Sequence, residues 1–182
     1  MQSDTTECAT RAAAPFHAPD APPYTRCEPS HRLVIGYGND LRGDDGAGRA
    51  AADALAECHL TGVSVLSVHQ LTPELAPLLA DAGMVVFLDA SASSDAAVSL
   101  AHLSPAATGG PPGHFATPER LLLLTQEVYG RTPRSCLITI PAEQFTPGAP
   151  FSARARTGIA RAVEMARQLL AIASNTSTSA SF

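Results

Sequence analysis

The sequence predicts an α/β three-layer sandwich around a mostly parallel sheet. Two observations carry that reading. Strand-like and helix-like stretches alternate through a core of roughly 140 residues, the common size of one domain. The turn "GYGNDLRGDDGAG" (36–48) joins an apolar run to an alanine-rich helical stretch, as in a strand-to-helix unit of such a sheet.

The elements follow in order. "RLVIGY" is a short apolar strand that stops at glycines, and a helix follows from about Asp45 through Glu57. "VSVLSVHQ" alternates apolar and polar residues as a strand does, and "PELAPLLADAG" reads as a short helix opened by proline and closed by glycine. "MVVFLDA" is a buried strand that ends on an acid, and "AVSLAHL" is a weaker strand reached after a short loop. In "ATPERLLLLTQEVYG", Thr117 can cap a helix, Pro118 suits its first turn and Gly130 stops it. "SCLITI" is the fifth strand. A long helix from about Ser152 to Ser174 places Ile159, Val163, Ala166 and Leu170 on one face toward the sheet.

Flanking this core (32–174), residues 1–31 are rich in Ala, Pro and Thr without periodicity, and 175–182 read as a polar tail. Both are expected to lack fixed structure. The chain has 182 residues, 45% hydrophobic and 16% charged, a soluble globular composition. A net charge of −5 gives no electrostatic grip on nucleic acid or anionic lipid. All twelve basic residues are arginines, so Schiff-base chemistry, pyridoxal phosphate attachment and a Walker lysine are excluded. The cysteines Cys8, Cys27, Cys58 and Cys136 are scattered and read as reduced thiols. With no signal-peptide pattern and no membrane-length apolar run, the expectation is a cytoplasmic protein.

The glycine-rich turn is not a phosphate loop. Gly36 and Gly38 fit a dinucleotide fingerprint, but Leu41 stands where the third glycine belongs. An anion would also face Asp40, Asp44 and Asp45. A helix N-terminus favours carboxylates, so Asp44 and Asp45 are expected ionised and fixed, a setting that suits a cation. A structural account competes: Asp44 as an N-cap, Gly46 and Gly48 as close helix-on-sheet packing. Asp89 closes an apolar run and asks for a function of its own. Ligands of such sheets bind beyond the carboxyl ends of the strands, so Asp45 and Asp89 meet if the first and third strands are neighbours.

Gly36, Gly38, Asn39, Asp44, Asp45, Gly46 and Gly48 together resemble the amino-terminal signature of the nickel-iron hydrogenase maturation proteases. "VVFLDA" is similar to that family's acid-ending strand, and "GHFATPERLLLL" to its histidine segment, so the likeness spans roughly residues 33 to 170. It implies a five-stranded sheet of the phosphorylase/hydrolase-like type, its fourth strand antiparallel. It also implies an endopeptidase that removes the carboxy-terminal extension of a hydrogenase large-subunit precursor after nickel insertion. The functional residues it implies are Asp45, Asp89 and His114, which would contact nickel carried by the substrate, with no organic cofactor. Two carboxylates and an imidazole form an O,O,N set that binds nickel more weakly than the client's thiolates, so the metal is sensed and not extracted. Either polarisation of the scissile carbonyl or activation of water is open to it. His69, after the second strand, is the rival ligand. His102 is expected to pack or face solvent, and His17, His31 and His59 lie on the arm, beside it, or at a helix end.

The chain departs from the family's pattern in two loops, both expected to border the cleft. "TIPAEQF" replaces Gly-Ile-Gln-Pro after the fifth strand, and "HQLTPELA" replaces a glycine-rich turn after the second. No Gly-x-Ser-x-Gly elbow and no His-Glu-x-x-His helix exists, which disfavours serine and zinc proteases. The expected protein is a monomeric maturation peptidase whose partner is the precursor. The alternatives are a noncatalytic nickel-checking or precursor-binding protein and, on fold analogy alone, a hydrolase of a small amide or nucleoside.

Overall fold

The computed structural model describes residues 31–92, 97–107 and 117–178. The strands are β1 (Arg32–Tyr37), β2 (Val63–Val68), β3 (Met84–Ser91), β4 (Ser99–Leu103) and β5 (Arg134–Pro141). The helices are α1 (Ala47–Ala56), α2 (Ala76–Asp81), α3 (Pro118–Tyr129) and α4 (Ala153–Thr178). The strands form one sheet in the order β2-β1-β3-β5-β4. β4 runs antiparallel to β5 and every other pairing is parallel.

Alternation along the central strands assigns each side chain to a layer. Val34, Val86, Leu88, Ile138 and Ile140 pack with Ala51, Ala52 and Leu55 of α1 and with Ala162, Ala166 and Leu170 of α4. Leu33, Ile35, Val85 and Phe87 point the other way, onto Ala76 and Leu79 of α2 and Leu121 and Leu122 of α3. Both faces of β1 and β3 are therefore buried, and this is why those strands read as nearly continuous apolar runs. The α4 face expected from the sequence is the one that packs: Ala166 and Leu170 are buried, and Ile159 and Val163 lie against the same cluster.

Boundaries differ in instructive ways. The first helix does not start at Asp45: Gly43–Gly46 form a 3-10 turn and α1 begins at Ala47. Thr117 occupies the N-cap position of α3 in an extended conformation but makes no side-chain cap bond. Gly130 ends that helix as expected, left-handed at φ 68°, its N–H donated to the Gln126 carbonyl. α4 continues to Thr178, beyond the expected stop near Ser174, because no glycine or proline interrupts "SNTST". The expectations for the leading arm lie outside the described residues, except at His31.

Candidate active site

β2 and β3 flank β1, so the winding direction reverses beside β1, and the crevice beyond its carboxyl end is where such sheets bind ligands. Glycines make this corner tight. A Cβ on Gly48 would stand 2.4 Å from the Leu88 carbonyl oxygen and 2.6 Å from that of Tyr37, so α1 rests directly on the junction of β1 and β3. Gly38 turns the chain at φ 134°, and a Cβ there would meet the Asp45 carbonyl oxygen at 2.0 Å. Gly36 and Gly48 are thus the helix-on-sheet contact. Gly46 is not part of it, since its nearest neighbour is the Asp40 backbone of the same loop.

The three aspartates of the turn have three different surroundings. Asp40 is exposed and pairs with Arg49 at 2.9 Å. Asp44 is fully buried, and its carboxylate is not an N-cap. One oxygen accepts the Ser152 N–H at 2.7 Å, and the other accepts those of Glu143 at 2.9 Å and Gln144 at 3.0 Å. Its own N–H is donated to the Gln144 carbonyl at 2.7 Å. Burial pushes the Asp44 carboxyl up, but the donors from Glu143, Ser152 and Gln144 outweigh it and hold the group below its ordinary value. Asp44 therefore ties the turn after β1 to the "PAEQF" loop after β5, roughly a hundred residues away.

Asp45 is half-buried, with Oδ2 accepting the Asn39 N–H at 3.2 Å. Asp89, third from the end of β3, is also half-buried. Its Oδ1 accepts its own neighbour's N–H, Ala90, at 2.8 Å, and its Oδ2 accepts the Tyr37 hydroxyl at 2.9 Å. Burial pushes the Asp89 carboxyl up. The Tyr37 and Ala90 donors offset part of that, and the Asp45 charge adds to the rise. The Asp45 charge thus acts on the Asp89 carboxyl. Among the described residues neither takes part in an ion pair. Two carboxylates held together without a cationic partner can share a proton or take up a cation.

Sequence reasoning missed Tyr37. It sits on "RLVIGY" like a core residue and is buried, yet its hydroxyl reaches an acid. Burial first, then the charge and hydrogen bond of Asp89 and the charge of Glu119, keep that phenol protonated well above its ordinary range. Leu121 and Leu122 of α3 share the apolar cluster that holds Tyr37, so α3 packs beside this strand end. The usable signal was register: Gly36 pairs with Leu88, so the next residues, Tyr37 and Asp89, lie side by side on one face.

His114 lies outside the described residues, in the segment that leads into α3. His69 is exposed just past β2, and its carbonyl accepts the Gly38 N–H at 3.2 Å, so the "HQLTPELA" loop does border the turn. Among the described residues no three His, Cys, Asp or Glu side chains converge as a metal-holding cluster. His102 is exposed on β4, and His59 is exposed after α1. Cys136 is a packing residue: it is buried on β5, and burial pushes its thiol up to about 11. No helix among the described residues is long and apolar enough to cross a membrane.

Fold and crevice define an α/β/α sandwich with a pair of carboxylates at its switch point. Solved structures share this architecture. The [NiFe] hydrogenase maturation protease HycI from Thermococcus kodakarensis KOD1 superposes with a TM-score of 0.62 at 20% identity, over 78% of this chain and 92% of that one. HybD from Thermococcus kodakarensis gives 0.59 at 23% identity over 77% and 99%. The hydrogenase maturating endopeptidase HybD from E. coli gives 0.59 at 16% over 77% and 91%. No protein-family profile matches the sequence, and no curated protein matches it significantly. The chain has the fold of these proteases, including the antiparallel fourth strand that the resemblance implied.

Proposed function

We propose that this chain is a hydrogenase maturation endopeptidase, which removes the carboxy-terminal extension of a nickel-iron hydrogenase large-subunit precursor once nickel is in place. The support for the reading is a pair of half-buried acids, Asp45 and Asp89, the charge of one acting on the other and neither in an ion pair among the described residues, beyond neighbouring strands β1 and β3. Their mutual repulsion is relieved by a divalent ion, and in this reading the ion arrives bound to the client. Asp45, Asp89 and His114 contact it from their side as an O,O,N set, weaker than the client's thiolates, and so anchor the scissile bond beside the two carboxylates. The sheet edge, the glycine-tightened corner and the shared architecture with named maturation proteases support this reading.

The test is incubation with nickel-loaded and nickel-free precursor, followed by mass spectrometry of the client's carboxy terminus. The expected result is loss of the extension from the loaded form alone. Equal cleavage of both forms removes metal sensing from the proposal. An intact terminus with stable complex formation favours the noncatalytic precursor-binding alternative, for which the altered loop after β5 is the supporting feature.

A further inference from the structure

We propose that Tyr37 is a positioning residue whose phenol fixes the Asp89 carboxylate in the orientation it presents to the client. The inference rests on the reading of Asp89 as a residue of the site and goes beyond it by assigning what holds Asp89 in place. A carboxylate held at one oxygen can rotate about its Cβ–Cγ bond. Asp89 is held at both: Oδ1 by the Ala90 N–H at 2.8 Å and Oδ2 by the Tyr37 hydroxyl at 2.9 Å. Two donors on two oxygens set the plane of the group and leave one lone pair on each oxygen turned away from them. Asp45 is held less firmly, by the Asn39 N–H at 3.2 Å on Oδ2.

Tyr37 is suited to this because it cannot move away. The residue is 9% exposed and packs in the layer that holds Leu33, Ile35 and Phe87. The parallel register puts it beside Asp89 on that same face. Packing alone needs only the ring, which phenylalanine supplies equally well. The hydroxyl is the atom left over, and its partner is the carboxylate.

The experiment compares wild type with Tyr37→Phe, Asp89→Asn and the double variant. Tyr37→Phe is expected to melt within a few degrees of wild type and to process nickel-loaded precursor about 10- to 100-fold more slowly in kcat, with KM unchanged. If the phenol acts through Asp89, adding Tyr37→Phe to Asp89→Asn costs no further activity. A crystal structure of Tyr37→Phe gives a readout that needs no client. An Asp89 carboxylate rotated, or split between orientations, supports the inference; one in its original orientation overturns it. Additive losses in the double variant also overturn it, since the phenol would then act elsewhere. Failure of wild type to process any precursor sinks the proposed function instead, and the crystallographic comparison still decides the role of Tyr37.

Discussion

Asp44 and Asp45 are adjacent in the chain and opposite in surroundings. Asp44 is sealed beneath the loop after β5, with three backbone donors on its carboxylate. Asp45 is half-buried, accepts only the Asn39 N–H among the described residues, and its charge acts on Asp89. Of these two like residues, one ties two loops together and the other acts on a second acid, Asp89. Satisfied polar groups stabilise, whereas a carboxylate left beside another stores reactivity.

Substitution at each acid separates the two roles. Asp45→Asn is expected to lower processing by at least about 100-fold, as for loss of an acid–base or ligand group, with the melting temperature nearly unchanged. A rate close to wild type, read by mass spectrometry of the client, would remove Asp45 from the chemistry. Asp44→Ala leaves the N–H groups of Glu143, Gln144 and Ser152 without their ionised acceptor. The expected loss is about 3–5 kcal/mol of stability, measured by urea denaturation, with activity falling only as the loop loosens. An unchanged midpoint would mean that the loop is held by its other contacts.

Acid titration sharpens the contrast because the two shifts have opposite sign. The Asp44 carboxyl lies below its ordinary value of 3.8 in the folded chain. Its contribution to stability is full above that value and is lost as pH falls through the lower, folded one. Asp89 is raised above 3.8, so the folded chain holds its proton longer, and stability declines as pH climbs from 3.8 through the raised value. Asp44→Asn should flatten the acid limb of a pH–stability curve, and Asp89→Asn should flatten the decline above it. The reverse assignment would invalidate the comparison. The smallest effect is expected at His69: His69→Ala should change processing by no more than about twofold. A large loss would restore it as a ligand beside Asp45 and Asp89.

Much of the fold was legible because burial on both sides writes a continuous apolar run. "RLVIGY" and "MVVFLDA" announced β1 and β3, and Pro118 and Gly130 announced the ends of α3. The start of α1 was misplaced, since nothing within the turn reveals that Asp44 spends its hydrogen bonds on residues about a hundred positions away. The same limit applies to Thr117, whose type suits a cap while its hydroxyl makes no cap bond.

The sequence by itself determined the alternation of strands and helices, the glycine corner and the three acids of the turn, because these depend on local sterics and on periodicity. Tertiary structure alone decided which acid is which. Strand order placed β3 beside β1, and register set the Tyr37 hydroxyl on Asp89. The loop after β5 folded over Asp44 and left Asp45 open. A carboxylate's role follows from the donors and charges around it, and here those come from residues distant in the chain.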